Sequence, residues 1–409
     1  MKKIFVLFAI AIMSMLSTDA FSGEVRTNFG DVNINLGGQL RPRFEVNDKS
    51  TVADSDADFF TSQRSRLNVG VDAGAISGFL QLQDVRNWGE ETSTLEDSAD
   101  GFDVHQAYVN VQDFANLPLS LKVGRQELAF DGQRLIGSVN WAQQARTFDA
   151  LRINTNLGPA GVSLVAATEV EDDTADKDDE YIFMAHAKAK VNEMMGVSGI
   201  LVWNNDDEVE MDRVTLGARG TLKSGPIKGR VEGYYQTGDT SATTKAKAFM
   251  VAARLGYAFD TPIKPKVTLW YDYLSGDEDT ADTDIKSFDT LYATNHKFYG
   301  FMDYFIAVPG NTGNKGLQDI AIKASIKPLS NVTTSAHFHY FLLAEDSATD
   351  AKKELGKEID LTAKWKYDKH LNIVAGYSHF FNTELSRTGV ASHGDEDADW
   401  AYVMMDFKF

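Results

Sequence analysis

The stretch NINLGGQLRPRFEV, residues 33 to 46, puts Ile34, Leu36, Leu40, Phe44 and Val46 on one side of an extended chain and Asn33, Asn35, Gln39, Arg41, Arg43 and Glu45 on the other. Side chains of a strand alternate between its faces, so this segment reads as a strand with one apolar face and one charged face. Similar segments recur to the C-terminus, among them DRVTLGARGTL (212–222), KVTLWYDYL (266–274), LQDIAIKASIK (317–327), NVTTSAHFHYFLL (331–343) and KEIDLTAKWKY (357–367). The last, ADWAYVMMDFKF, sets Ala401, Val403, Met405, Phe407 and Phe409 on one face. The spacing predicts about eighteen strands, an even number within the range of single-chain outer-membrane barrels.

Connections between these segments are expected to alternate in length. Gly74-Ala75, Leu157-Gly158-Pro159, Ser224-Gly225-Pro226 and Pro328-Leu329-Ser330 are tight, whereas NDKSTVADSDAD, GEETSTLEDSADGFD, EDDTADKDDE and AEDSATDAKKEL are long and acidic. Short periplasmic turns facing long outer loops are the pattern of a transmembrane antiparallel β-barrel. A soluble sandwich also alternates, but eighteen strands are many for one sandwich. Phe259, Tyr271, Tyr273, Tyr340, Trp365, Tyr367, Phe381 and Phe409 fall at strand ends, where the aromatic girdles of a barrel are expected.

Export precedes all of this. Residues 1–22 combine Lys2 and Lys3, an apolar run from Ile4 to Leu16 and small residues at Ala20 and Ser22, the three parts of a secretory signal. Residues 23–409 are then the barrel, and both mature termini fall on the periplasmic side. Mean hydropathy is −0.27, and no later window is long and apolar enough for a membrane helix, which needs roughly 20 residues. Cysteine is absent, which excludes disulfides, thiolate metal sites and a cysteine nucleophile. Losing Lys2, Lys3 and Asp19 with the leader moves the formal charge from −19 to −20. So acidic a surface argues against a nucleic-acid partner.

Within this acidic chain, VGRQELAFDGQRLIGSVNWAQQARTFDALRI (123–153) gathers Arg125, Arg134, Arg146 and Arg152 among aromatic and amide residues. The block resembles the alginate export porin family, whose members carry a GRQ, a following QRL, a Trp and an RTFDA segment. FDTLYATNHKFYGFMDYF (288–305) and the closing pair LGKEIDLTAKWKY and DADWAYVMMDFKF also match. The resemblance implies an eighteen-stranded barrel in a bacterial outer membrane. It further implies a monomer around an Arg-lined conduit that passes anionic polysaccharide or anionic or polar small solutes, with no cofactor. Passive uptake of small organic acids or sugars is the alternative.

Alternation places Arg41 and Arg43 of the first strand and Arg64 and Arg66 of the second on the polar face. Lys122, Arg152, Lys188, Arg219, Arg230, Arg254, Lys323 and Lys364 follow by the same rule. Near the bilayer midplane a lipid-facing Arg or Lys costs about 2–4 kcal/mol, so these side chains are expected to face water. Guanidinium offers paired donors to carboxylate and stays charged, which suits an anion filter. Arg125, Arg134, Trp141 and Arg146 are expected in an outer loop folded inward to narrow the pore, or else the arginines hold that loop by pairing with Glu127, Asp131 and Asp149. The same polar faces carry Glu45, Asp72, Glu232, Asp272, Asp319, Glu358, Asp360 and Asp406, so the wall is mixed.

Other constellations are weaker. His337 and His339 share a strand face, but the sequence offers no evident third ligand, and zinc needs three or four. The acidic groups around Asp54, Asp56 and Asp58, and around Asp277, Glu278, Asp279, Asp282 and Asp284, offer hard oxygen ligands to calcium but lack the glycine and closing Glu of the helical calcium loop, so they read as solvated outer loops, with bridging of cations to lipopolysaccharide a weak side role. No metal or catalytic site is assigned, because no nucleophile stands beside a base. Partners are expected to be outer-membrane lipid and lipopolysaccharide, the solute, and the barrel assembly machinery through Phe409.

Overall fold

The computed structural model describes residues 25–29, 31–49, 56–90, 102–170, 180–279, 281–346, 353–385 and 396–409; the expected leader and Asp54 lie outside them. Twenty extended segments form one sheet. Val25–Phe29 is a flap that folds back on the first wall strand, and Asp284–Ile285 is a short parallel addition. The other eighteen build the wall. They are β1 (Val32–Asp48), β2 (Asp58–Ala73), β3 (Ile76–Asn87), β4 (Phe102–Val111), β5 (Leu119–Gln126), β6 (Phe148–Leu157), β7 (Ala160–Val170), β8 (Glu180–Lys190) and β9 (Met195–Asp206). The wall continues with β10 (Met211–Ser224), β11 (Ile227–Ser241), β12 (Thr244–Ala258), β13 (Lys266–Leu274), β14 (Leu317–Leu329), β15 (Val332–Leu342), β16 (Glu354–Lys366), β17 (Leu371–Asn382) and β18 (Ala398–Lys408).

Each wall strand pairs antiparallel with its sequence neighbour, and β18 returns to β1 from Gln39↔Lys408 to Asp48↔Asp399. Closure pairs the backbone groups that lipid could not satisfy. At the seam, Gly38 and Phe409 exchange backbone hydrogen bonds of 3.0 and 3.2 Å, so the terminal aromatic completes the ring. Among the tight turns, Gly74 (φ +66°) and Gly158 (φ +60°) occupy the left-handed region that side chains disfavour.

The expected alternation of short and long connections holds around most of the ring. It fails at residues 207–210 and 242–243, which join long strands of 12 to 15 residues by tight outer turns. The long outer connections that position the site are residues 127–147, between β5 and β6, and residues 275–316, between β13 and β14.

The two faces follow the sequence pattern. In β12, Ala246, Ala248, Met250, Ala252 and Arg254 are buried while Phe249, Val251 and Leu255 are exposed on the outside. The buried core lies inside the barrel. Leu128, Phe130, Leu135 and Ile136 of one loop and Phe288, Phe298, Tyr299, Met302 and Phe305 of the other pack against inward residues such as Ile182, Val202, Phe341 and Phe380. Small inward residues on β12 leave room for this packing.

The two faces should respond differently to charge. Ile322→Arg, on the lipid side of β14, is expected to destabilise the barrel in vesicles by about 2–4 kcal/mol. Lys364→Gln, on the lumen side of β16, should change it by less than about 0.5 kcal/mol. Urea titration of both variants in one lipid checks the difference.

Candidate functional site

The two long loops meet inside the barrel and zip together. Ile136 bridges Tyr292 in parallel, Gly137 N–H donates to Tyr292 O at 2.8 Å, and Thr294 N–H donates to Gln133 O at 3.0 Å. A Cβ on Gly137 would lie 2.3 Å from Thr294 Oγ1, so only glycine permits this approach. The segment NHKFYGFMDYF, expected to enter the lumen because of its aromatic density, does so: Phe298, Tyr299, Met302 and Phe305 are buried. Together the loops form a plug.

Arginines of the wall clamp that plug through its carbonyl groups. Arg41 donates to Asn140 O (2.7 Å), Trp141 O, Ala142 O and the Gln143 side chain. Arg43 donates to Trp141 O at 3.0 Å and to Glu45 at 2.7 Å, with its guanidinium 4.6 Å from the Trp141 ring. Arg64 reaches Ala142 O, Gln143 O and the Gln39 side chain, and Arg66 holds Gln83 and lies 3.6 Å from Glu127. Trp141 stacks on His296 at 4.4 Å and meets Trp400 and Tyr402 edge-on. Sequence reasoning missed this aromatic seat, although Trp400, Tyr402 and Met404 occupy the lumen register of β18 and so could have been found by alternation.

On the opposite wall the polarity reverses: the plug supplies the cation. Arg134, 1% exposed, pairs with Glu232 at 3.0 Å and Asp272 at 2.8 Å and donates to Tyr299 Oη at 2.9 Å. Arg254 lies 3.3 Å from the same Asp272, 3.6 Å from Glu232 and over the Trp270 ring, and Arg230 is 3.5 Å from Glu232. Arg219 lies 3.6 Å from Asp131. Arg146 donates to Ala293 O and sits over Tyr292. The arginines of the plug therefore hold it, but chiefly through wall carboxylates and carbonyls rather than through Glu127, Asp131 and Asp149.

One expected lumen residue lies elsewhere. Arg125 shares its register with Asp149, on the outward face that Val123 and Leu151 define, and the two pair at 2.7 and 3.0 Å on the outer wall. The backbone of Gly124 (φ +121°) bends just before it. Alternation from Val123 alone would have placed Arg125 outward; its place in an arginine-rich block concealed this.

Toward the short-turn end the plug stops and two cavities open. One, of about 560 Å³, is lined by Arg41, Lys297, Lys364, Trp141, Phe301 and Tyr402 with amide and hydroxyl groups, and no carboxylate contributes to its lining. The other, of about 660 Å³, is lined by Arg152, Lys188, His186, Asp131 and Asp113. Lys122 stands beside Arg152 across the β5–β6 pair, its Nζ 3.9 Å from the Tyr108 ring, and Arg152 donates only to Asn154 and Ser163. No carboxylate lies within 4.0 Å of Lys122, Arg152, Lys188, Lys297 or Lys364 among the described residues.

Two carboxylates on the plug make its attachment sensitive to acid. Burial raises the affinity of Glu127 for a proton, but hydrogen bonds from His105 (3.0 Å) and Asn140 (2.8 Å) outweigh it and hold the carboxyl below its ordinary range. Asp131 is likewise held low, with burial outweighed by His186 and Ser198.

A family model described as alginate export matches residues 32–397. Among solved structures, OpdL of Pseudomonas aeruginosa is similar at 10% identity, covering 92% of this chain and 98% of that one with a TM-score of 0.63. The outer membrane protein OprD of the same organism is similar at 12% identity over 92% and 93%, with a TM-score of 0.60. OccAB1 of Acinetobacter baumannii is similar at 12% identity over 91% and 96%, also at 0.60. At these identities the likeness is one of fold. A search of curated proteins finds no match.

Arg134→Met should leave Glu232 and Asp272 short of their buried partner and cost about 3–5 kcal/mol, because one charge of a buried group is removed. Adding Glu232→Gln and Asp272→Asn should deepen the loss in the same urea titration, because Arg230 and Arg254 then lose their own carboxylate partners; recovery would show that Arg230 and Arg254 do not rely on those carboxylates. The acid response has a definite sign. Glu127 and Asp131 contribute stability that is complete above their unfolded values, about 4.3 and 3.9, and is lost as pH falls through their lower folded values. Single-channel conductance is therefore expected to hold steady down to about pH 5 and to rise below about pH 4.

Proposed function

This chain belongs to the alginate export family, and we propose that it is an anion-preferring channel for carboxylate-bearing solutes, with sugar acids the class its lumen suits best. The family is one of export channels of the bacterial outer membrane, not of enzymes. The observation that carries the proposal is the division of lumen cations. Those around the plug are bound to carbonyls and carboxylates, while Lys122, Arg152, Lys188, Lys297 and Lys364 toward the short-turn end have no carboxylate partner among the described residues.

Free cations in a low-dielectric lumen raise the local concentration of anions. The cavity beside Trp141, Phe301 and Tyr402 adds aromatic surface and hydroxyl groups to Lys297 and Lys364, a combination that accepts both the apolar face and the carboxylate of a sugar acid. Arg41, Arg43, Arg64 and Arg66 then serve the plug first and the solute only at its edge. The proposed partners are lipid and lipopolysaccharide around the wall, the solute within it, and the assembly machinery at Phe409, which closes the seam.

The plug also supports a second reading, passive uptake of small organic acids or sugars. Its buried core packs against the wall at the level of Phe298, Tyr299 and Met302, so a polymer strand would require a larger movement of the loops than a small solute. Flux of a uronate monomer and of a uronate polymer into loaded vesicles separates the two: monomer alone supports uptake, and polymer passage supports export.

Reversal potentials in planar bilayers test the charge claim. At 0.01 M salt, where the Debye length is about 30 Å, the channel is expected to prefer anions. Replacing Lys122, Arg152 and Lys188 by Gln should abolish that preference while leaving conductance at 1 M salt, where the Debye length is about 3 Å, nearly unchanged. Cation preference of the unaltered channel at low salt would contradict the proposal.

A further inference from the structure

Across β14, β15 and β16 the lumen wall carries a second constellation that anion passage does not use. His337 and His339 lie two residues apart on the inner face of β15, and Asp360 of β16 stands in register with His337. The three residues bring one ligand atom each to within 4.8 Å of one another. His339 Nε2 and Asp360 Oδ2 are 3.9 Å apart. The third ligand that the histidine spacing alone does not reveal is thus supplied by the neighbouring strand.

Each of the three side chains also has a buried atom without a hydrogen-bond partner among the described residues. His339 and Asp360 are 0% and 1% exposed. His337 Nδ1, His339 Nε2 and Asp360 Oδ2 are all buried without a hydrogen-bond partner among the described residues. The remaining atoms of the same groups are engaged: His339 Nδ1 lies 2.9 Å from Asp319 Oδ1, and Asp360 Oδ1 accepts from Ser378 Oγ at 2.6 Å. A proton on Nδ1 of His339, donated to Asp319, leaves Nε2 with its lone pair free. This carboxylate–histidine arrangement is the one that orients imidazole toward a metal.

Charge supports the same conclusion. Asp319, Glu358 and Asp360 are buried, and no Lys or Arg nitrogen lies within 4.0 Å of any of them among the described residues. Lys323 stands across from His337 on β14, but its Nζ rests 4.1 Å over the Trp270 ring. Lys323 and Lys49 are charge neighbours of this group but neither touches it, and buried carboxylates without a contacting cation are costly unless they take up a proton or a metal.

We propose that His337, His339 and Asp360 hold a transition-metal dication of the zinc class, with Asp319 as the positioning residue for His339. Two imidazoles and a carboxylate are a borderline donor set that suits zinc, cobalt and nickel rather than calcium or magnesium. Tetrahedral zinc ligands at about 2.0–2.1 Å stand about 3.4 Å apart, so the three side chains need to draw together by roughly 1 Å. Water fills the open position. The site also binds the plug to the wall: Phe301 N–H points to Asp360 Oδ1 at 3.4 Å, its ring lies 5.2 Å from His337, and Met302 N–H donates to Glu358 at 2.8 Å.

Cobalt(II) and zinc(II) are the probes, added to the full chain in detergent after chelator treatment. The expected result is one equivalent of cobalt retained through gel filtration, with the visible absorption of a tetrahedral site, and a higher urea midpoint with zinc. His337→Gln and Asp360→Asn should each lower metal affinity by at least tenfold and remove the zinc-dependent midpoint shift, whereas His379→Gln, on the outer face of β17, should do neither. Asp319→Asn should weaken binding by 10–100-fold without abolishing it. Folding of each variant is checked by its heat-resistant gel mobility. If a variant does not fold, the unaltered chain decides: failure to retain metal overturns the proposal, as does equal retention by folded His337→Gln and Asp360→Asn variants.

Discussion

Lipid offers the backbone no hydrogen-bond partner, and the rest of this structure follows from that constraint. It requires the β18–β1 closure, and closure leaves only one place for charge, the interior. The sequence puts arginine, lysine, aspartate and glutamate on the inward register of most strands, more charge than a narrow lumen can leave dry and unpaired. The plug resolves this by bringing carbonyl groups to Arg41, Arg43 and Arg64 and a guanidinium, Arg134, to Glu232 and Asp272. The loops thus act as counter-groups for the wall as well as an obstruction within it.

What remains after this pairing is the basis of the anion preference proposed above. Five cations toward the short-turn end have no carboxylate partner among the described residues, and four of them, Arg152, Lys188, Lys297 and Lys364, line the two cavities below the plug. Acidic outer loops and lumen cations without carboxylate partners therefore coexist in one chain without contradiction. A net charge of −19 describes the whole chain and says little about the lumen.

Strand register was legible in the sequence wherever period two was clean, and it placed Arg41, Arg64, Arg152, Arg219, Arg230 and Arg254 on the lumen face. It also warned that residues 295–305 would not remain in solvent. Three features were not legible. Arg125 lies on the outer face because the strand continues its alternation past Gly124, although the motif around it suggested a single arginine cluster. Partners of Arg134 come from β11 and β13, 98 residues away at Glu232 and farther still at Asp272, separations that no local pattern encodes. Asp360 completes the histidine pair only through the β15–β16 register, and register between strands is a tertiary fact.

The account depends on the loop at residues 138–144 being docked on β1 and β2 as part of the native wall, not resting there transiently. The most direct test uses the absence of cysteine. Gln143 donates to Ser62 Oγ at 3.0 Å, so Ser62→Cys with Gln143→Cys introduces two thiols at the docking point, and a short thiol cross-linker can be applied to outer membranes. The account predicts efficient cross-linking in the folded barrel, with conductance and ion preference unchanged once the link forms. A folded barrel that resists cross-linking, or a channel whose conductance collapses when the link forms, would contradict it.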